Sequence, residues 1–311
     1  MLGNRVRKNF RKLKPTFDRR RIEAFRLYDR DIPEVRAVVD WYAGHAVLGE
    51  YERAQTSDDA YRDELAKSVA AALELAPDQV HVKARRTRPA EGARYQRLAR
   101  IERRLEVREG DLRFLVNLDD YLDTGLFPDH RETRQLVRAE SAGVRFLNLF
   151  AYTGSFTCAA ALGGAASTTT VDVSASYLRW AQDNLELNGF KGDLEGTSGA
   201  RHELVREDAR AFLGRAAREG RRYSLCVLDP PSFSTRESGS FDVQRDHRSL
   251  IEEALRVLAP GGILWFSTNH QRFAPELDGL PAASVTETTS RTVPADYRNR
   301  QAHRSFRIVG R

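Results

Sequence analysis

The stretch FLNLFAYTGSFTCAAALGGAASTTTVDVS, residues 146–174, decides the fold. Its apolar run (Phe146, Leu147, Leu149, Phe150) is too short for a helix and leads into Tyr-Thr-Gly. A small-residue helical segment follows, and then a β-rich run that ends on Asp172. Strand, tight turn, helix, strand, with an acid 18 residues after the turn glycine, is the logic of a nucleotide-binding crossover. The glycine lets backbone approach the ligand, and the acid meets a ribose diol. Only Gly154 sits in the turn, so a full G-x-G-x-x-G is absent. A pyrophosphate needs several glycines for close approach; a ligand with an adenosine and no phosphates does not. The turn therefore favours S-adenosylmethionine over a dinucleotide. The bland alternative is an ordinary βαβ turn with an exposed Asp at a strand end.

Outward from this stretch the chain alternates. Helices are expected at about 129–140, 155–163, 174–188, 208–219 and 246–258, and strands at 145–150, 167–172, 202–206, 222–228 and 262–267. Two further β runs lie at 283–289 and 305–309, and a Gly-rich loop at 189–200. Such alternation implies an α/β fold with a doubly wound, mostly parallel, Rossmann-like sheet.

Upstream, Val6, Phe10, Leu13 and Phe17 fall on one stripe of a helix over 4–17, with Arg5, Arg7, Lys8, Arg11 and Lys12 around it. Pro15 is expected to kink or end its last turn. Such a helix could lie on a membrane, dock on a partner, cross a nucleic-acid backbone, or pack on its own domain. Strand-like runs follow at 24–28, 36–42 and 46–52, then a helix over 57–75 with its N-cap in Ser57-Asp58-Asp59. A strand at 80–85, an exposed basic loop at 86–103 and a hairpin (105–108, 112–118) turning at Gly110-Asp111 complete a small α+β domain over 1–118. The second domain is 119–311, with 119–135 as the junction.

Two domains suit 311 residues, and 41% apolar content suffices for a core. No apolar run spans a bilayer, and the basic N-terminus lacks an apolar leader core, so the chain reads as cytoplasmic and neither membrane-bound nor exported. Cys158 and Cys226 read as reduced core residues. Seven scattered His and no C-x-x-C point away from a structural metal site. The net charge of +6 hides an asymmetry: residues 1–30 carry +8 and 81–113 carry +6, leaving the rest acidic. Basic charge ahead of the crossover suits a surface that meets phosphates.

In such a sheet ligands bind at the carboxyl ends of the strands. Four ends carry polar residues: Asn148 to Gly154, Asp172, Glu207-Asp208-Ala209, and Asp229-Pro230-Pro231-Ser232-Phe233. At the third, an acid could accept from an adenine amino group. At the fourth, two prolines hold an extended backbone with free carbonyls. Asp229, Pro230, Pro231 and Phe233 would form a base-sized slot with a stacking face. The plain alternative has Asp229 capping the next turn.

NRVRKNFRKL (4–13), DYLDTGLFPDHR (120–131), LNLFAYTGS (147–155), GGAASTTTVDVS (163–174), NLELNG (184–189), DPPSFS (229–234) and FDVQRDH (241–247) together resemble the class I S-adenosylmethionine-dependent methyltransferases. Within them the chain is similar to the K half, a guanine-N7 methyltransferase, of the bacterial 23S ribosomal RNA methyltransferase K/L family. The resemblance implies a methyltransferase domain over 119–311 and RNA binding by 1–118. It implies cofactor contacts at Asp129, Arg131, Asn148, Phe150, Thr153, Gly154, Ser155, Asp172, Val173, Ser174, Asp208 and Ala209, with Asp229 to Phe233 framing the base. It implies 23S ribosomal RNA as substrate. The family's L-type half, with its RNA-binding THUMP module, has no counterpart in this chain and would be a separate partner.

Chemistry narrows the methyl acceptor. Cytosine C5 needs a Cys nucleophile, and neither Cys158, inside a helix, nor Cys226, mid-strand, can reach a base. Exocyclic amines (adenine N6, guanine N2) must lose a proton, and suit an Asp-Pro-Pro-aromatic clamp; here Ser232 separates Phe233 from the prolines. Guanine N7 has a lone pair and no proton to lose, and needs a counter-charge such as Asp229 as the ring becomes cationic. A non-catalytic RNA-binding module on the same fold is the competing class, against which the intact set Gly154, Asp172, Asp208 and Asp229 speaks.

Overall fold

A computed structural model describes residues 1–51, 58–85, 100–197, 199–236 and 239–311. Ser57 and most of the expected basic loop (86–99) lie outside the described residues. The chain divides into two units, Met1–Pro128 with Ala295–Asn299, and Asp129–Pro294 with Arg300–Arg311.

In the first unit, α1 (Leu2–Arg19) buries Leu2, Val6 and Phe17, and Phe10 and Leu13 pack against the same core. Pro15 lies within the helix and does not end it. Its missing N–H removes a single helical bond, and Phe17 anchors the last turn against Phe25 with ring centroids 4.6 Å apart. The strands β1 (Ala24–Asp29), β2 (Ala37–Tyr42) and β3 (His45–Tyr51) are antiparallel. A crossover through α2 (Asp59–Leu73) sets β4 (Val80–Arg85) parallel to β3. Asp58 is the N-cap of α2, its Oδ1 accepting from the Tyr61 amide at 2.7 Å. A separate hairpin joins β5 (Leu105–Glu109) to β6 (Leu112–Val116) through Gly110, whose φ of +69° suits only glycine well.

The expected boundary after residue 118 moves ten residues on, to Pro128. The reason is polar. The His81 ring faces Asp119 Oδ1 at 2.6 Å, buried Lys83 donates to the carbonyls of Asp119 and Tyr121, and the Tyr42 and Thr124 hydroxyls bond at 3.0 Å. A return of the chain adds Asp296, which accepts from the Arg26 amide at 2.9 Å.

The second unit opens with α3 (Arg131–Ala139) and β7 (Arg145–Leu149), then α4 (Ser155–Leu162), β8 (Ser167–Asp172), α5 (Ala175–Leu187), β9 (His202–Arg206) and α6 (Ala209–Arg218). It continues with β10 (Tyr223–Leu228), a hairpin of β11 (Phe233–Arg236) and β12 (Gly239–Asp242), α7 (Val243–Leu255) and β13 (Leu258–Thr268). It closes with β14 (Ala282–Glu287), the single turn α8 (Thr289–Thr292) and β15 (Arg304–Gly310). The sheet order is β14-β15-β13-β10-β7-β8-β9, with β15 alone running against its neighbours. This is the doubly wound, mostly parallel sheet expected.

Period-two alternation explains why its centre is apolar throughout. Phe146, Leu225 and Val227 pack with Val137 and Phe156 in one layer, while Leu147, Leu149, Cys226 and Leu228 pack with Phe212, Leu250 and Ile251 in the other. Cys158 and Cys226 are buried and free, and burial pushes the Cys158 thiol up to about 12. The segment after Asp229 folds back on itself: Phe233 starts a hairpin paired Phe233 to Asp242 and Ser234 to Phe241. The helix that follows begins at Val243 rather than 246, because Asp242 caps it by accepting from the Gln244 amide at 2.9 Å.

Candidate active site

The order of the sheet reverses between β7 and β10, so their carboxyl ends open the crevice where such folds bind ligands. After β7 the backbone makes a cramped turn. Phe150 and Tyr152 have φ of 55° and 51°, and Gly154 has φ of 74°. A Cβ on Gly154 would stand 2.7 Å from the Ala181 Cβ of α5. Glycine is therefore required twice, for conformation and for close approach of α5. Asn184 of α5 fixes the turn by donating to the Thr153 carbonyl at 2.9 Å.

Asp172 ends β8 and braces the same turn. Its Oδ2 accepts from the Tyr152 amide and its Oδ1 from the Ser174 amide, both at 2.9 Å. Ser174 caps α5 through the Tyr177 amide. Phe150, Val171, Asp172, Val173, Glu207 and Ala209 line one small pocket, in which Val173 is 37% exposed. Asp208 caps α6, its Oδ1 accepting from the Arg210 and Ala211 amides, while Glu207 faces Arg215 Nη2 at 2.7 Å. The acid lining this pocket beside Asp172 is Glu207, while the Asp208 side chain is turned to the α6 amides. Ser155 is the first residue of α4. Asn148 is not in this group by its side chain: its amide donates to Thr157 at 3.0 Å, and Thr157 meets Thr170 at 2.8 Å, all within the core.

A second cluster forms after β10. Ser267, at the end of β13, donates to Asp229 Oδ1 at 2.6 Å. Pro230 is buried, Pro231 half-buried, and Phe233 is 47% exposed. Ser232 Oγ bonds Asn269 at 2.7 Å, which moors the loop to β13. The two clusters meet through Phe150 and Phe241 of β12, whose ring centroids are 6.1 Å apart.

Asp129 and His130 approach from the turn before α3. His130 Nε2 lies 3.5 Å from Asp229 Oδ2 and 3.9 Å from Asp129 Oδ2. Asp129 Oδ2 is 3.3 Å from His303 Nδ1, and His303 Nε2 is 3.0 Å from the Thr292 hydroxyl. Arg131 is buried at the start of α3, with its Nε 3.6 Å from Glu132. The motif itself points to Asp129 and Arg131; the fold adds His130, His303 and Ser267. A lone His in a motif, or a Ser at a strand end, carries no periodic signal.

An acid at the end of β8, an exposed apolar Val173 and a pocket floored by Ala209 suit an adenosine carrying no phosphate, so these residues fit S-adenosylmethionine. Residues 23–297 match the S-adenosylmethionine-dependent methyltransferase family, and the chain belongs to it. It is similar to ribosomal RNA large subunit methyltransferase K of Neisseria meningitidis serogroup B, 44% identical over 98% of this chain and 86% of the relative. It is equally similar to ribosomal RNA large subunit methyltransferase K/L of Allochromatium vinosum, 44% identical over 99% of this chain. The chain spans 42% of that relative's length. Its fold matches the crystal structure of a methyltransferase complexed with SAH, with a TM-score of 0.74, 23% identity, and coverage of 99% of this chain and 81% of that one. Among the described residues, no helix is long and apolar enough to cross a membrane.

Proposed function

We propose that this chain methylates N7 of a guanine in 23S ribosomal RNA. The observation that carries the reading is the Asp229 carboxylate, held by the Ser267 hydroxyl and followed by two prolines at the switch point of the sheet. The names of its K and K/L relatives give large-subunit ribosomal RNA as the methylated molecule. Asp172 would accept the ribose diol, Glu207 would face the adenine edge, and Phe150, Val173 and Ala209 would wall the ring. The family resemblance adds Asp129, Arg131, Thr153, Ser155 and Ser174 to the proposed cofactor contacts.

When bound, S-adenosylmethionine supplies a methyl group on a sulfonium, which the N7 lone pair takes up while the C–S electrons stay on sulfur. Positive charge passes to the purine and no proton leaves. Asp229 is then a counter-charge, aligned by Ser267, and Phe233 offers a face for stacking beside the rigid Pro230-Pro231 carbonyls. RNA would be gathered by the basic first unit.

Asp229→Asn keeps shape and removes charge, so its transfer rate should fall by about 10–1000-fold. The product should depurinate readily, because an N7-methylated purine is cationic. Mild reductant and aniline should therefore cut the modified RNA at that position. RNA that gains a methyl group yet resists cleavage would replace N7 with an exocyclic amine.

A further inference from the structure

We infer that His130 is a positioning residue that faces Asp229 as a neutral imidazole and so leaves the carboxylate's full charge for the reacting base. The inference rests on the guanine-N7 reading. Three parts of the second unit converge here: the turn before α3, the end of β10 and the residue before β15. His130 Nε2 faces two carboxylate oxygens, Asp229 Oδ2 at 3.5 Å and Asp129 Oδ2 at 3.9 Å, so the ring proton belongs on Nε2. Nδ1 is buried and has no hydrogen-bond partner among the described residues. A bare lone pair tolerates that position. An imidazolium would place a second N–H where no acceptor stands.

The neighbours reinforce the neutral form. The His303 ring stacks on His130, with centroids 4.3 Å apart and planes 13° from parallel, and the Phe156 ring meets it edge-on at 5.6 Å. Burial pushes the His130 pKa below its ordinary 6.5; His303 and Arg134 act in the same direction, and Asp229 and Asp129 oppose it. Asp129, His130 and His303 place three possible ligand atoms within 4.8 Å of one another. Stacked rings, however, do not aim their in-plane lone pairs at one point, so the pair is not arranged to share a cation.

A neutral N–H pointed at Asp229 from 3.5 Å leaves its charge intact; a protonated ring would cancel it and repel the cationic purine. Methyl transfer should therefore fail on the acid side as His130 takes up a proton. Single-turnover transfer of labelled methyl to deproteinised 23S ribosomal RNA tests this in the native chain and in H130Q, whose amide donates but does not titrate.

In the native chain the rate should drop below pH 6.5, by about tenfold per unit once the limb is reached. H130Q should lose that limb, and its S-adenosylmethionine affinity should change by less than about twofold, the RT-scale change of one uncharged contact at most. The same limb in H130Q would overturn the inference. Ring nitrogen NMR of the native chain decides it independently if H130Q does not fold: Nε2–H at neutral pH supports it, and Nδ1–H or an imidazolium refutes it. Total label transferred reads His130, while aniline cleavage of the same RNA reads N7, so the two failures are distinct.

Discussion

Asp172 braces a turn and is also the carboxylate proposed to meet the ribose. It accepts two backbone amides, from Tyr152 and Ser174, and thereby holds the turn whose left-handed residues crowd against α5. A ribose diol would meet the same carboxylate. Asp172→Ala should therefore cost about 1.5–3 kcal/mol of S-adenosylmethionine affinity, the range for hydrogen bonds to a charged group. It should also lower the stability of the second unit, since two amides lose their acceptor. Calorimetry on the folded variant separates the two effects. Unchanged affinity would remove Asp172 from the ribose role and leave it a brace.

At the scale of elements, α1 shows how an amphipathic helix divides its faces. The apolar stripe is spent on the first unit's own core, so removing residues 1–14 would expose that core and say nothing about RNA. The cationic face is partly spent as well. Arg7 donates to the Ala71 and Ala72 carbonyls at the end of α2, and Arg5 faces Asp31 at 3.4 Å. Lys8, Arg11 and Lys12 remain as the group able to meet phosphates. Replacing these three by Gln should lower the log–log salt slope of RNA binding by about 0.7–0.9 per lost contact, with cofactor affinity unchanged. An identical slope would make the cationic face a solvated surface only.

On the scale of the whole molecule, acid should loosen the second unit. His202 is buried on β9 against the Thr168 hydroxyl, at 3.1 Å. Burial, with help from Arg201, lowers its pKa from 6.5 to about 4. The unfolded chain then takes up a proton below pH 6.5 that the folded chain refuses until about pH 4. Stability is therefore full above 6.5 and declines through that window, by about 3 kcal/mol. Urea midpoints across the window should fall in the native chain and fall less in His202→Gln. Equal slopes would place the effect elsewhere.

The sequence by itself determined what is local or periodic. The alternation of strands and helices, the single turn glycine, the acid at the end of β8 and the double proline after β10 are all legible within short windows. So is the apolar stripe of α1, although not the surface that it covers. Tertiary structure alone decided which distant residues share a site. Asp129 and His303 stand 174 positions apart and meet because β15 inserts against β13. Ser267 reaches Asp229 because β13 lies beside β10. Asn148 turned inward, to Thr157, because α4 covers that face of β7. Spacing along a chain reports the face of one element, whereas a site is set by which elements become neighbours, and that is settled only when the whole sheet closes its core.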